Sequence, residues 1–288
     1  MRRRKPLREK RRKSKTRNKL ICGIVAVGLI LVCFLIYSSL YPKDSSSNDQ
    51  TGPPKAALVD HLSFSSPPPN STFQTQCRTI LENTGFNYTY YEGEKVTVDF
   101  YKKLPTYGYS LIVLRVHSAV IEDDQGIRTN LIGLFTSEVF NETTKSIYLP
   151  DLENGRLALA KLFVGRNDTY FGITPFFVQS NMVGSFKNTV IIMMGCEGLN
   201  HTSMAEALVQ RGAKVYISWT GLVTKSHTDD ATSRLLQSLQ QNQTIKTAVE
   251  GISFDPNWRW SKLNYYPNEG DEDVGNKVLH DFVGDLTP

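Results

Sequence analysis

Cysteine is scarce in this chain, with four residues among 288. Two of them, Cys22 and Cys33, lie in one apolar segment near the start, which leaves Cys77 and Cys196 for everything that follows. Two cysteines cannot build the disulfide framework that holds many small exported domains together. A folded domain in this sequence must therefore be held by a packed apolar core.

Several ligand-binding motifs are also missing. The sequence contains no H-E-x-x-H, no C-x-x-C, no P-loop and no G-x-G-x-x-G. Those patterns position the groups that hold zinc, nucleotides and dinucleotides, so the sequence predicts no metal site and no cofactor. One short acidic run, Asp271-Glu272-Asp273, has the D-x-D form with which glycosyltransferases hold a metal and a sugar nucleotide.

Positive charge is concentrated at one end of the chain. The 33 basic and 28 acidic residues give a formal net charge of +5. Residues 1–19 hold twelve Lys or Arg and one acid, a balance of 12 − 1 = +11, so the rest holds 21 basic and 27 acidic residues, a balance of −6. The basic character thus belongs to a tail, and with an apolar segment following it we predict no nucleic-acid partner.

That apolar segment carries no charged residue over twenty-one positions, from Leu20 to Leu40. As a helix it would span about 30 Å, the thickness of a bilayer's hydrocarbon core. The sequence therefore predicts a transmembrane signal-anchor helix over residues 20–41, with the lipid bilayer as a partner. The positive-inside rule keeps residues 1–19 in the cytoplasm and places the C-terminal domain outside it. A cleaved signal peptide is the alternative.

The segment after the predicted anchor is polar and rich in Ser and Pro. Residues 42–72 bury too little apolar surface to offset chain entropy, and they predict a flexible stalk before an exported domain at residues 73–288. Six N-x-[ST] sequons follow the apolar segment and fit a glycosylated surface. They are Asn70, Asn87, Asn141, Asn167, Asn200 and Asn242.

Residues 73–288 alternate between patterns typical of helices and of strands. Residues 109–116, 189–194 and 214–219 are short continuous apolar runs of the kind buried in parallel sheets. A predicted helix at 202–211 joins the last two runs into a βαβ unit. Further helices are predicted at 73–82, 149–163 and 227–241, and strands at 86–91, 131–135 and 170–178. The predicted fold is α/β, a three-layer sandwich with a mostly parallel sheet.

Two chemically capable side chains close predicted strands. His117 follows the run at 109–116, and Cys196 follows the run at 189–194 just ahead of a helix. Reactive groups gather at the carboxyl ends of parallel strands, and a helix N-terminus lowers a thiol pKa. The pattern predicts Cys196 as a nucleophile and His117 as its general acid/base.

The loops around these two residues are candidates for an oxyanion hole, because backbone N–H groups there can face a developing negative charge. The candidate loop residues are Ser118, Gly195, Glu197 and Gly198. Two alternatives stay open. Cysteine is often only a small buried hydrophobe, and a Cys77–Cys196 disulfide would make this a non-catalytic cell-surface interaction domain. An anchor, a stalk and the D-x-D run also fit a type II membrane glycosyltransferase.

Residues 188–223 carry a recognisable order of features. An apolar strand ends at Cys196, a helix carries Ala207-Leu208, and Gly212-Ala213 leads into a strand that ends at Trp219. This order resembles the catalytic-cysteine block of the caspase-like (clan CD) cysteine peptidases and is especially similar to the CHAT and gingipain/clostripain branches. The family's histidine also ends an earlier strand, as His117 does here, although the glycine that usually follows it is Ser118.

The resemblance implies a caspase-like fold and a membrane-anchored, extracytoplasmic cysteine endopeptidase that acts on a peptide or protein through a His–Cys dyad. It also implies a substrate pocket beside residues 214–219. In that pocket Trp219 would form an apolar wall. Asp229 or Asp230 would meet a basic side chain and favour cleavage after basic residues.

Overall fold

The computed structural model describes residues 52–65, 69–162 and 168–284, and its centre is a six-stranded sheet, sheet A. The strands are β1 (Lys55–Asp60), β2 (Asn87–Glu92), β3 (Leu111–Arg115), β8 (Thr189–Met193), β9 (Ala213–Trp219) and β10 (Leu263–Tyr266). Their order is β2-β1-β3-β8-β9-β10. The first five are parallel, and β10 pairs antiparallel with β9 at one edge.

Both faces of sheet A are buried, which explains why its central strands are mostly apolar. In β8, Val190 and Ile192 contribute to the core on one face, whereas Ile191 and Met193 contribute to the core on the other. The described helices are α1 (Leu62–Ser65), α2 (Ser71–Asn83), α3 (Val98–Lys103), α4 (Glu142–Glu153), α5 (Pro175–Ser180), α6 (Ser203–Gln210), α7 (Lys225–Gln240), α8 (Ile245–Glu250) and α9 (His280–Val283). Helices α2, α7 and α8 cover the first of these faces, and α3 and α6 cover the second.

A second, antiparallel sheet packs into the same core as α6. Sheet B contains β4 (Ser118–Glu122), β5 (Arg128–Val139), β6 (Leu157–Lys161) and β7 (Thr169–Ile173), in the order β4-β5-β7-β6. Its inward side chains, among them Ile132 and Leu134, join the core on the α6 face of sheet A. Because β4 begins three residues after β3 ends, sheet B starts beside the carboxyl edge of sheet A.

Several predicted elements are confirmed, above all the βαβ unit, since β8, α6 and β9 follow in order and the two strands are parallel. The predicted helix at 149–163 is wrong in its second half. Helix α4 ends at Glu153, Gly155 adopts a left-handed conformation at φ 64°, and β6 then pairs with β7. The predicted strand at 170–178 is likewise shorter, because Thr174 caps the start of α5.

Strand β1 lies within the segment predicted to be a flexible stalk, residues 42–72. It sits between β2 and β3 in sheet A, and Ala56, Ala57, Leu58 and Val59 are fully buried. Four consecutive apolar residues buried on both faces of a sheet are part of a core and not of a spacer. The predicted start of the folded domain at residue 73 is therefore corrected to a position before β1.

The predicted membrane-spanning helix at residues 20–41 lies outside the described residues. Within residues 52–65, 69–162 and 168–284, no helix is long and apolar enough to cross a bilayer. The longest helix there, α7, has 16 residues and includes Asp229, Asp230 and Arg234. For the part of the chain that the structure describes, this finding contradicts the predicted fold class with one transmembrane helix, and the predicted extracytoplasmic localisation, which depended on such a helix, is not retained. The fold class is corrected to α/β with a mixed, largely parallel sheet A.

Candidate functional site

His117 and Cys196 come to neighbouring positions at the carboxyl edge of sheet A. Strands β3 and β8 are adjacent and parallel, and Leu114 pairs with Met193. His117 lies three residues beyond Leu114, and Cys196 lies three residues beyond Met193. Adjacent strands are about 4.8 Å apart, so the fold brings the two predicted dyad residues to the same part of this edge.

The Cys196 thiol is free and half-buried. Its Sγ donates a hydrogen bond to the carbonyl oxygen of Val223 at 3.5 Å. Burial raises the pKa of the Cys196 thiol, and the carboxylates of Glu197 and Asp255 raise it further. The sequence pattern predicted a lowered pKa from a helix N-terminus, which is wrong because α6 begins only at Ser203. Cys196 therefore rests as a thiol at neutral pH.

Cys77 is also free, so the two cysteines of the described chain do not form a disulfide. It lies in α2, where Cys77 is fully buried against the sheet, and burial raises the pKa of its thiol to about 12. The disulfide that would have removed the candidate nucleophile is therefore excluded by the fold. Cys77 is the small buried hydrophobe that cysteine often is.

The turn around Cys196 is fitted closely to its surroundings. A Cβ built on Gly195 would overlap the Ser118 Oγ and the carbonyl oxygen of Val116, and a Cβ on Gly198 would overlap side-chain atoms of Met193 and Ser218. The Ser118 hydroxyl donates to the carbonyl oxygen of Cys196 at 2.5 Å. This hydrogen bond connects the start of β4 to the turn at residues 195–198, which we call the cysteine turn.

Glu197, directly after the cysteine, adopts a left-handed backbone conformation with φ 59°. Non-glycine residues rarely do so without surrounding support. Here the carboxylate of Glu197 pairs with Arg128 at 2.5 Å, and its N–H donates to the carbonyl oxygen of Gly221 at 2.8 Å. These contacts hold the turn in one conformation.

Two of the N–H groups considered for an oxyanion hole are used within the fold. That of Gly195 donates to Met193 Sδ at 3.0 Å, and that of Glu197 donates to Gly221. The N–H groups of Cys196 and Gly198 donate to no carbonyl oxygen of the described residues, and that of Cys196 faces its own sulfur. These two are the N–H groups of the turn that can face a developing oxyanion.

His117 is half-buried between two aromatic rings. Its ring centroid lies 5.9 Å from that of His61, edge to face, and 5.8 Å from that of Phe135. Burial lowers the pKa of His117 to about 4, and the nearby cations of Arg115 and Lys225 act in the same direction. The imidazole is therefore neutral at neutral pH and able to accept a proton.

A fully buried cluster of charges joins the ends of β1 and β3 to α7. Arg115 donates from Nε and Nη2 to the two carboxylate oxygens of Asp229 at 2.7 and 2.8 Å, and from Nη1 to Asp60 at 2.7 Å. Asn70 adds a hydrogen bond to Asp229 at 2.8 Å. Arg115, Asp60 and Asp229 are each 3% exposed or less. The carboxylate of Asp229 is thus already paired, away from solvent, with a cation of the chain itself.

The three predicted pocket residues do not meet in one open pocket. Trp219 is buried, and its indole donates to Thr228 Oγ1 at 2.9 Å. Asp229 is held by Arg115. Asp230 is exposed and lines a separate surface cavity of about 160 Å³ together with His227 and Arg234.

The predicted glycosylation sites differ in their surroundings, and Asn167 lies outside the described residues. The amide nitrogens to which a glycan would attach are hydrogen-bonded in Asn70, to Asp229, and in Asn200, to the carbonyl oxygen of Thr220 at 3.2 Å. The remaining three are exposed: Asn87, Asn141 and Asn242. Their use stays a prediction.

In the acidic D-x-D run, Asp273 is already hydrogen-bonded within a local turn. Asp273 Oδ1 accepts hydrogen bonds from the Gly275 N–H at 2.7 Å and from the Tyr265 hydroxyl at 3.2 Å. Among the described residues, no group of three or more His, Cys, Asp or Glu side chains is arranged to hold a metal ion.

The sequence-based search missed Asp60 and His61, because their segment was assigned to the stalk. Both are buried at the end of β1, beside β3. A signal was present, since Asp60 and His61 follow a run of four apolar residues, as Arg115 follows the apolar run of β3 two residues before His117. As for relatives, no protein-family model matches the chain, and no curated protein matches its sequence.

Proposed function

We propose that this protein is a cysteine peptidase that uses Cys196 as nucleophile and His117 as general acid/base. The observation that carries the proposal is the position of these residues at matching distances beyond two adjacent parallel strands. The caspase-like relationship suggested by residues 188–223 is part of the proposal. It is consistent with a free thiol and an imidazole at the carboxyl edge of a largely parallel sheet.

The reaction begins from a neutral thiol and a neutral imidazole. As Cys196 Sγ attacks the substrate carbonyl carbon, the thiol proton passes to His117. The N–H of Cys196 stabilises the resulting oxyanion. His117 then gives its proton to the departing amine, the C–N bond breaks, and a thioester remains on Cys196. Water hydrolyses that thioester, releases the acid product and restores the thiol.

The lowered pKa of His117 suits the second half of this sequence. An imidazolium that is buried near Arg115 and Lys225 is destabilised, so it gives up its proton readily to a departing amine. The same feature makes His117 a weak base for the first half. We therefore expect slow attack on unactivated substrates and strong dependence on correct substrate positioning.

Cleavage after basic residues depends on Asp230 alone among the two predicted carboxylates. Asp229 is neutralised by Arg115, which leaves Asp230 as the exposed carboxylate of the predicted pair. The glycosyltransferase alternative gains no support, because Asp273 is occupied by its own turn.

The test is the rate at which iodoacetamide labels Cys196 in the intact protein between pH 6 and 9, followed by peptide mass spectrometry. Cys77 provides an internal reference for a buried thiol. We expect Cys196 to be labelled at least tenfold faster than Cys77, and His117→Ala to slow that labelling severalfold, the moderate effect of a base whose pKa is lowered. His201→Ala, on the loop after Cys196, is the matched control and should change nothing.

Labelling of Cys196 that is no faster than that of Cys77 would contradict the proposal. An equal rate in the wild type and the His117→Ala variant would exclude the dyad. A Cys196→Ser variant identifies any labelling that occurs elsewhere.

A further inference from the structure

Trp260 is unusually exposed for a tryptophan, with 57% of its surface accessible. Its indole lies directly against the backbone of Gly221, since a Cβ on Gly221 would overlap ring carbons of Trp260. Trp258 packs edge-on against the same indole at a centroid distance of 6.4 Å. Gly221 and Trp260 together form a surface that we call the aromatic shelf.

The aromatic shelf is fixed to the chain on both sides. Beside Gly221, the Thr220 N–H donates to the carbonyl oxygen of Lys262 at 2.8 Å, and the Lys262 N–H donates to Thr220 Oγ1 at 3.0 Å. Earlier in the same loop, the buried carboxylate of Asp255 accepts from the N–H and the hydroxyl of Thr224 at 2.7 and 2.6 Å. The exposed indole is therefore held in place before any ligand arrives, which reduces the entropy lost on binding.

The shelf adjoins the cysteine turn. The carbonyl oxygen of Gly221 accepts the N–H of Glu197, and the carbonyl oxygen of Val223, two residues on, accepts the Cys196 thiol. The shelf follows β9, whereas His117 follows β3, and β8 with Cys196 lies between them. Shelf and imidazole therefore lie on opposite sides of the thiol.

This order fixes which part of a substrate reaches the shelf. The departing amine must lie near His117 in order to receive its proton, so the acyl part of the substrate extends in the opposite direction, towards β9. An exposed, rigid indole offers a large apolar area to whatever side chain lies over it.

We infer that the aromatic shelf binds an apolar or aromatic side chain on the acyl side of the scissile bond. The substrates are then peptides that carry an apolar or aromatic residue on that side. The inference rests on the proposed function, because the direction of the peptide depends on His117 as the proton donor. Trp260 is the specificity-determining residue of this site, and Gly221 is the residue that lets the indole lie close to the cysteine turn.

The experiment compares two probes that differ in one side chain, acetyl-Phe-Ala chloromethyl ketone and acetyl-Gly-Ala chloromethyl ketone, for their rates of alkylation of Cys196 in the full-length protein. We expect the Phe probe to react about tenfold faster or more in the wild type. The ratio should fall to near one in Trp260→Ala. It should be retained in Phe254→Ala, which removes another exposed aromatic side chain from the same loop. Iodoacetamide, which has no side chain to bind, should label Cys196 equally in all three proteins.

Two further variants separate binding from folding. Trp260→Phe keeps an aromatic ring and should retain part of the ratio. Gly221→Ala keeps the indole but displaces it, and should lower the ratio. Equal rates of the two probes in the wild type, or an unchanged ratio in Trp260→Ala, would overturn the inference. Loss of the proposed dyad is recognised separately, by an iodoacetamide rate that does not depend on His117.

Discussion

His61 is a buried imidazole whose two ring nitrogens make no hydrogen bond of normal length and angle within the described residues, apart from a weaker interaction with the backbone of Thr136. It follows β1 and packs edge to face against His117, which follows β3. Burial lowers the pKa of His61 to about 3, and the charge of a protonated His117 would lower it further. A proton on either ring of this pair is therefore disfavoured in the folded protein.

This pair should make the protein sensitive to acid. Well above the unperturbed histidine pKa of about 6.5, both histidines are neutral whether the chain is folded or not. At lower pH the two histidines become protonated in the unfolded chain. In the folded protein they stay neutral until the pH approaches about 4 for His117 and about 3 for His61. The free energy of unfolding should thus decrease by up to ~1.4 kcal/mol for each histidine and for each unit by which the pH is lowered. Urea unfolding between pH 7 and 4.5 measures this slope.

The His61→Phe variant should show about half of that slope, because one of the two titrating groups is removed. Phe64→Leu changes the packing of the ring next to His61 without removing a titrating group, and should keep the wild-type slope. An unchanged slope in His61→Phe would show that His61 is protonated in the folded state.

Individual residues also mark where prediction from sequence ends. The positions of His117 and Cys196 after apolar runs were readable, because strand ends are local features. The direction of the Cys196 pKa was not, since it depends on burial and on Asp255, a residue distant in sequence. The pairing of Arg115 with Asp229, 114 positions apart, carries no local signal either.

Among the elements, the strands differ in how well their local sequence predicts them. Strands β3, β8 and β9 are continuous apolar runs because both faces of sheet A are covered. Strand β6 was predicted as helix, because Leu157, Leu159 and Leu162 also fit helical spacing, and only pairing with β7 decides the matter. Tertiary pairing thus overrides a local pattern that fits both structures.

The buried charge cluster is the main polar connection between elements. Arg115 of β3 binds Asp60 of β1 and Asp229 of α7, with all three side chains removed from solvent. Replacing Arg115 by Met leaves two buried carboxylates without a cation, and should lower the free energy of unfolding by about 3–5 kcal/mol. Urea unfolding at pH 7 followed by circular dichroism measures the loss.

Arg78→Met is the matched control, because Arg78 pairs with Glu82 on the surface of α2. It should cost about 0–1 kcal/mol. The combined replacement of Arg115 by Met and of both aspartates by Asn should recover part of the loss. A single Arg115→Met variant as stable as the wild type would show that the carboxylates do not need this cation.

For the molecule as a whole, the position of β1 decides where the folded unit begins. Residues 52–288 form one compact unit, and β1 pairs on one side with β2 and on the other with β3. A chain that starts at residue 73, the boundary predicted from sequence, would lose an inner strand and Asp60 from the charge cluster.

We therefore expect a fragment of residues 52–288 to unfold cooperatively in urea, and a fragment of residues 73–288 to be largely unfolded or aggregated. Circular dichroism and size-exclusion chromatography of both fragments test this. Cooperative unfolding of the shorter fragment would mean that β1 is dispensable. Adding back a peptide of residues 52–72 provides a control, because it supplies the missing strand without altering the rest.

The raised pKa of Cys196 has one more consequence, for the chemical lifetime of the protein. Peroxide and other oxidants attack the thiolate, and a thiol that stays protonated at neutral pH presents little of that form. Cys196 should thus persist in its reduced state without a dedicated reductant. Resistance to sulfenic acid formation and low resting nucleophilicity are two results of the same burial beside Glu197 and Asp255.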